Sequence, residues 1–415
     1  MKMHENREKK ERALLVELDT GAWEAKPALA ELYELTRSAG AVPFGTITQK
    51  RPAPDAATCV GRGMMEEISG FCKKYEIDLL VFDCELTPTQ LRNIEKISGT
   101  KTVDRTMLIL DIFAANARSR EGRLQVELAQ LEYLLPRLSE KGVGLSRLGG
   151  GIGTRGPGES KLETDRRHIR KRIDVLNRQL DDVKRRREQQ IRRRQKNGIV
   201  TVALVGYTNA GKSTLMNTLT NAGVLVEDKL FATLDPTARA LKLPGGEKVM
   251  LIDTVGFLRR LPYHLIDAFR STLEQAAEAD VILNVCDASS PEAREHLEIT
   301  KNLLASLGCT ERPIIPVMNK CDLIPALTSI PMIGEAVRVS AKTGEGIPTL
   351  LKAIEENLPD YLPVKLLLPF SEASLADRVR TVGAIESEEY TPEGYRLTAR
   401  VPPSMMSDVW DYLID

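Results

Sequence analysis

The stretch from Gly206 to Ser213 constrains the fold of this chain more than any other. It reads Gly206, Tyr207, Thr208, Asn209, Ala210, Gly211, Lys212, Ser213, the spacing G-x-x-x-x-G-K-S. Before it lies an apolar, β-branched run, Ile199–Val205, and after it a helical one, Ser213–Leu219. A glycine-rich turn between strand and helix lets successive backbone N–H groups and the helix N-terminus wrap a row of phosphates. In that setting Lys212 reaches the outer phosphates and the Ser213 hydroxyl ligates Mg²⁺. The competing reading, an ordinary strand-to-helix turn, leaves the signals that follow unexplained.

Those signals come in a workable order. The apolar strand Val249–Ile252 delivers Asp253 at its carboxyl end, where a carboxylate orders the magnesium shell. Thr254, Val255 and Gly256 follow, and the glycine N–H can lie against a γ-phosphate. A second strand, Ile314–Val317, leads to Asn319, Lys320, Cys321 and Asp322. A carboxylate at Asp322 can accept from the two adjacent N–H groups on the edge of guanine, which adenine does not offer. Val337–Lys342 reads as a strand ending in small residues, so that Ser340, Ala341 or Lys342 can offer a backbone N–H to guanine O6. Each signal is weak alone, and the ordered set is strong.

The remainder of the 415 residues suggests two to four domains at roughly 150 residues each. Strands at Leu14–Leu18, Val42–Thr48 and Ile77–Phe82 alternate with helices at Ala28–Ala39 and Met64–Tyr75, and Thr87 with Pro88 opens another helix. That alternation predicts a small α/β domain with a largely parallel sheet over residues 1–103. Gly61 and Gly63 before a helix read as a tight turn rather than a second nucleotide site.

From residue 104 the period changes. Leu124, Leu128, Leu131, Leu135 and Leu138 form one narrow seam, and Ile169, Ile173, Leu176, Leu180 and Val183 a second. Two such seams close in sequence most simply pair as an antiparallel coiled-coil hairpin over 104–198. Between them, residues 142–158 hold eight glycines in seventeen positions, with Arg147 and Arg155. Charge is segregated too. The chain as a whole balances 58 Lys and Arg against 58 Asp and Glu, yet Arg155 to Gly198 carries sixteen basic and seven acidic residues. The densest runs are Arg185–Arg187 and Arg192–Lys196. A solvated helix face is the bland reading, and a polyanion partner the sharper one.

Residues 199–360 again alternate strand and helix, and 361–415 read as a small α+β domain with a strand at Val364–Pro369, a helix at Glu372–Val382 and a turn at Thr391–Gly394. The six cysteines lie at least twelve positions apart, which excludes an ordinary zinc site and points to reduced core thiols. His4, His168, His264 and His296 lie away from the motifs in sequence, so no catalytic role is expected of them. No apolar run approaches the roughly 20 residues of a membrane span, and no secretory signal is present, which leads us to expect a cytoplasmic protein.

On the P-loop with Asn209, the glycine loop 142–158, the helical seams, Leu230–Thr237, Asp253–Phe257 and Asn319–Asp322, in this domain order, the whole chain resembles the HflX family of ribosome-associated GTPases. The resemblance implies an α/β fold with a P-loop GTPase domain, preceded by the small α/β domain with its helical-hairpin stalk and followed by the α+β domain. It implies GTP hydrolysis with Mg²⁺ and binding to the large (50S) ribosomal subunit and its rRNA, with a role in splitting or rescuing stalled ribosomes, in translation or in ribosome biogenesis. A monomer with no integral membrane partner is expected. By the same resemblance, Lys212, Thr233 and Gly256 act in catalysis, and Ser213, Thr233 and Asp253 hold the metal. The nucleotide set comprises Gly206–Thr214, including Thr208 and Ala210, then Phe231, Ala232, Thr233, Leu234 and Asp235, Asp253–Gly256, Asn319–Asp322, and Ser340, Ala341 and Lys342. For the switch threonine the family pattern favours Thr233, while the residues alone leave Thr237 open. Asn209 stands where some similar GTPases ligate K⁺. Phe257 stands where many GTPases carry a water-orienting glutamine. Two rival readings remain: a nucleotide-gated RNA-binding module with incidental hydrolysis, and a membrane-peripheral dimeric GTPase.

Overall fold

The protein is described by a computed structural model over residues 10–21, 25–138, 161–196, 198–220, 230–231, 237–259, 265, 278–306, 308–309, 312–324 and 336–414. The expected glycine loop at 142–158 lies outside the described residues, as do Ala232, Thr233, Leu234 and Asp235. The chain divides into two compact units, 1–180 with 229–231, and 181–228 with 232–415.

In the first unit β1 (Arg12–Asp19), α1 (Ala25–Ser38), β2 (Val42–Lys50), α2 (Arg62–Tyr75), β3 (Leu79–Phe82), α3 (Pro88–Ser98), β4 (Lys101–Asp104) and α4 (Arg105–Asn116) alternate. The four strands run parallel in the order β2-β1-β3-β4. The interior strands are buried almost throughout, β1 from Ala13 to Leu18 and β3 over all four of its residues, as strands covered on both faces must be. Leu14, Val16, Leu80 and Phe82 pack with Met65, Ile68 and Ile94 of α2 and α3. Helix starts follow local chemistry. The Thr87 hydroxyl accepts from Gln90 N at 3.2 Å while Gln90 Oε1 accepts from Thr87 N at 2.9 Å, with Pro88 in the first turn.

Two further helices, α5 (Arg120–Leu134) and α6 (Lys161–Lys196), carry the two seams. Leu128, Leu131, Ile169 and Leu176 bury one another, flanked by Leu124, Leu135, Leu138, Ile173 and Leu180. Arg166 Nη2 donates to Leu138 O at 3.0 Å and Arg172 Nε to Glu127 Oε1 at 2.6 Å, so one segment descends as the other ascends. The first seam was expected to be helical as far as Leu138, but α5 ends at Leu134. Pro136 lacks the N–H an α-helix needs, and the chain tightens into a 3₁₀ turn over Leu135–Arg137.

The second unit holds β5 (Val200–Gly206), α7 (Lys212–Thr220), β6 (Thr237–Lys242), β7 (Lys248–Asp253), β8 (Val281–Asp287), α8 (Ala293–Ser306), β9 (Ile314–Asn319), β10 (Val337–Arg338) and α9 (Ile347–Glu356). Its six-stranded sheet runs β10-β9-β8-β5-β7-β6, parallel except for the edge strand β6. Ligands in such sheets bind outside the carboxyl ends of the strands, and there the chain turns at Gly206, Asp253, Asp287 and Asn319. The same unit ends in β11 (Leu362–Leu368), α10 (Ala373–Val382), β12 (Ala384–Thr391) and β13 (Gly394–Val401), an antiparallel sheet of order β11-β13-β12 backed by α10. Arg400 of β13 pairs at 2.8 Å with Glu247, which is 3 % exposed. Among the described residues no helix is long and apolar enough to cross a membrane.

Candidate nucleotide site

The loop after β5 is shaped by backbone that only glycine tolerates easily. Gly206 has φ +146° and a Cβ there would run into the carbonyl oxygen of Val285 on β8. Gly211 has φ +85° and a Cβ would strike the side-chain amide of Asn319. Asn209 takes the left-handed conformation at φ 58°, which Asn adopts more readily than most residues, and its side chain is exposed. The loop is clipped to the segment after β7. Phe257 N donates to Gly206 O at 3.0 Å, and Thr208 N donates to Phe257 O at 2.8 Å.

Lys212 opens α7 and is buried. Its ammonium donates to Gly206 O at 3.1 Å and Tyr207 O at 2.9 Å. Burial pushes its pKa down to about 8, and the charge of Asp253 pulls the other way. A phosphate beside this lysine favours the charged form, so binding takes up a proton wherever the free protein has lost it. Below about pH 8 the lysine is already charged and affinity should be flat. Above that pH, affinity for a nucleoside triphosphate should fall, approaching about tenfold per pH unit. Titration calorimetry in buffers of different ionisation heat checks the proton uptake directly.

The next residue meets the carboxylate at the end of β7. Ser213 Oγ donates to Asp253 Oδ2 at 2.7 Å, and Asp253 is 2 % exposed at the end of β7. One hydroxyl and one carboxylate are hard oxygen donors, and Mg²⁺ on a nucleotide takes one or two protein oxygens besides phosphates and water. The donor set therefore fits the magnesium implied by the sequence. Thr237 begins β6 and pairs in register with Asp253.

Thr254 and Val255 are buried, and the Thr254 hydroxyl donates to Leu204 O at 2.7 Å, so their side chains serve the core. Gly256 has no room for more than hydrogen. A Cβ would stand 2.7 Å from Thr208 Cγ2 and 3.0 Å from Lys212 Nζ. Its backbone therefore lies against the lysine that faces the phosphates.

The segments expected to read the base are joined to the phosphate loop by one amide. Asn319 Nδ2 donates to Ala210 O at 2.9 Å, and Asn319 Oδ1 accepts from Ala341 N at 2.9 Å. Ser340 Oγ donates to Asp322 Oδ1 at 2.7 Å, which fixes the carboxylate. Of the N–H groups expected to face guanine O6, Ala341 N is thus given to Asn319, and Ser340 N is given to Glu345 O. Lys320 sits at φ 63° and its ammonium pairs with Asp287 at 2.8 Å, while the Cys321 thiol donates to Met318 O. Gly211→Ala should uncouple this arrangement by displacing Asn319. We expect a stability loss of about 1–3 kcal/mol per buried hydrogen bond broken. Thermal melting and nucleotide titration check it.

Phe231 is a further residue expected to face the nucleotide. It belongs to the first unit, 3 % exposed at φ 57°, with its ring 4.5 Å from that of Phe113 and its carbonyl accepting from Asn116 Nδ2 at 3.0 Å. His296 comes to the site as a packing partner. Remote in sequence, it stacks on the Tyr207 ring at 3.9 Å and 12°. Burial, with the charge of Arg259, pushes its pKa down to about 4, so it is a neutral packing surface at neutral pH. Arg259 N donates to the Tyr207 hydroxyl at 2.6 Å, and its guanidinium pairs with Glu292 and Glu295 of the α8 region. No sequence motif announces this support of the phosphate loop, because it joins residues eighty-nine apart through an aromatic stack.

Three family models match the chain in succession: "GTP-binding GTPase N-terminal" at 26–114, "GTP-binding GTPase Middle Region" at 116–194 and "50S ribosome-binding GTPase" at 201–320. A GTPase HflX of Caldanaerobacter subterraneus subsp. tengcongensis is 47% identical over 413 residues, covering 99% of this chain and 96% of that protein. The GTPase HflX of Escherichia coli K12 is 42% identical, covering 90% and 89%. Among solved structures, a crystal structure of SsGBP in complex with GDP is 26% identical with a TM-score of 0.50, covering 84% of this chain and 98% of that one. Matched end to end by such relatives, and with its phosphate loop at the carboxyl edge of a largely parallel sheet, the chain belongs to the HflX family of GTPases.

Proposed function

We propose that this GTPase docks on the large ribosomal subunit through rRNA, that its nucleotide state governs docking and release, and that it acts in splitting or rescuing stalled ribosomes. The observation that carries the reading is the basic surface of α6, where Arg185, Arg186 and Arg192 are exposed within a surplus of nine positive charges. A row of exposed arginines on one long helix suits phosphate contacts. The description "50S ribosome-binding GTPase" of the model matching 201–320 supports the same partner. On this reading the chain works in four parts: 1–103 and the α5–α6 hairpin stalk of 104–198 hold the ribosome, 199–360 hydrolyses GTP, and 361–415 braces it. The glycine-rich tip of the stalk enters a confined site. The protein acts as a cytoplasmic monomer, with Mg²⁺ on Ser213, Asp253 and Thr233, and K⁺ at Asn209 as the further cation.

Hydrolysis in the free protein is slow on this reading. Phe257 is 3 % exposed and serves by its backbone clip to the phosphate loop, and a phenyl ring cannot orient water. The ribosome supplies what is missing, a kind of help worth roughly 10³–10⁵ in related chemistry.

Co-sedimentation with large subunits across a salt series tests the docking. Reversing Arg185, Arg186 and Arg187 to Glu should weaken binding and flatten the salt slope, because fewer counterions are released. GTP affinity of the free variant should stay unchanged. Identical affinity and slope for variant and wild type would remove α6 from the docking surface.

A further inference from the structure

The N-terminal sheet carries a feature that nucleotide chemistry does not use. Cys59 and Cys84, twenty-five residues apart in sequence, bring their Sγ atoms to 3.0 Å, and both are free thiols. The other four cysteines make no such contact among the described residues. Cys286 donates to Ala293 O and Cys321 to Met318 O.

Both sulfurs are held in place by the backbone around them. Cys59 closes a small turn in which Asp55 N donates to Cys59 O at 2.7 Å and Cys59 N to Asp55 O at 3.0 Å. It does so at φ 65°, a left-handed conformation that costs a non-glycine residue energy and persists only where its surroundings impose it. Cys84 stands two residues past the end of β3, where Asp83 N donates to Val16 O of β1 at 3.0 Å. The pair therefore bridges the turn before α2 and the turn after β3 at the carboxyl edge of the sheet. A disulfide has an S–S length of about 2.05 Å, so about 1 Å of closure separates the thiol pair from the bond.

We propose that Cys59 and Cys84 are an oxidation site, closed by peroxide into an intramolecular disulfide that staples the N-terminal α/β domain. The first thiolate of the pair is favoured because the second thiol hydrogen-bonds to it. This lowers the Cys59 pKa against the opposing effect of burial, with help from Arg51. Loss of the second proton is correspondingly disfavoured, and the Cys84 pKa is raised by that same hydrogen bond and by burial. Cys84 is half-buried, which leaves an approach to the pair from solvent. The thiolate attacks one peroxide oxygen, forming an S–O bond as the O–O bond breaks and hydroxide leaves to take up the proton released on ionisation. The remaining thiol then attacks the sulfenic sulfur, forming the S–S bond and expelling a second water with its own proton. Two thiols are oxidised to one disulfide while one peroxide is reduced to two waters. The closed loop restricts the unfolded chain, so the oxidised domain should be the more stable form.

The test treats the full-length protein with graded hydrogen peroxide, then alkylates it in denaturant and maps its peptides. The expected product joins the Cys59 and Cys84 peptides with loss of two hydrogens, leaves Cys72, Cys286, Cys309 and Cys321 alkylated, and is reversed by dithiothreitol. Its melting temperature should rise by several degrees, and the rise should be absent in Cys59→Ser and Cys84→Ser. Should Cys59→Ser fail to fold in its left-handed turn, the Cys84 variant carries the comparison. Both thiols remaining alkylatable, or oxidation ending as sulfinic acid on one of them, would overturn the proposal.

Discussion

Asp322→Asn is expected to cost GTP about 3–6 kcal/mol of binding while raising affinity for xanthosine triphosphate. Two guanine N–H groups facing a carboxylate each make a charge-assisted bond, and the amide presents one of them with another donor. Xanthine carries a carbonyl where guanine carries its amino group, so the amide suits it. The variant should fold normally, because the Ser340 hydroxyl that donates to Asp322 Oδ1 at 2.7 Å can donate equally to an amide oxygen. Competition titrations with both triphosphates measure the exchange, and unchanged preference for GTP would place base recognition elsewhere.

Lys212→Ala should have the largest effect on turnover, at least about 10²–10³, since it removes the buried positive charge aimed at the phosphates. Stability should move the other way. The wild-type ammonium is buried and its pKa is depressed by desolvation, so removing it relieves the free protein of a cost. Loss of GTP binding with an unchanged or raised melting temperature is the expected combination. Phe257→Ala should show the converse, about 3–5 kcal/mol of lost stability for an emptied aromatic site and a far smaller effect on the chemical step. Melting curves and single-turnover rates of the two variants separate the roles.

Much of this architecture is legible in the residues because local and global signals agree. The run at Leu14–Leu18 is a strand, the one expected at Ile77–Phe82 is a strand from Leu79 on, and Thr87 with Pro88 starts a helix through a capping box that can be read directly. The phosphate loop is legible for the same reason, with glycines at the positions where a Cβ would collide. Failures occur where one residue acts at a distance or redirects the chain. The strand expected over Val337–Lys342 is only two residues long, because the chain turns at Ser340, whose hydroxyl accepts from Thr343 N at 3.1 Å. Helix α2 starts two residues before its apolar period, at Arg62, because Gly61 supplies the extended N-cap backbone that periodicity does not see. Nothing in the spacing of Cys59 and Cys84, or of Tyr207 and His296, marks them as partners. Their contacts depend on tertiary packing across the carboxyl edges of two sheets.

Ribosome-gated hydrolysis is tested most directly by single-turnover GTP cleavage with and without purified large ribosomal subunits, at one low and one high salt concentration. The buried Phe257 and the basic face of α6 predict slow cleavage by the free protein. The same features predict acceleration by roughly 10³-fold or more on the subunit, with loss of that acceleration as salt rises. Equal rates with and without the subunit at low salt would contradict it, leaving a GTPase whose chemistry is complete without a ribosome.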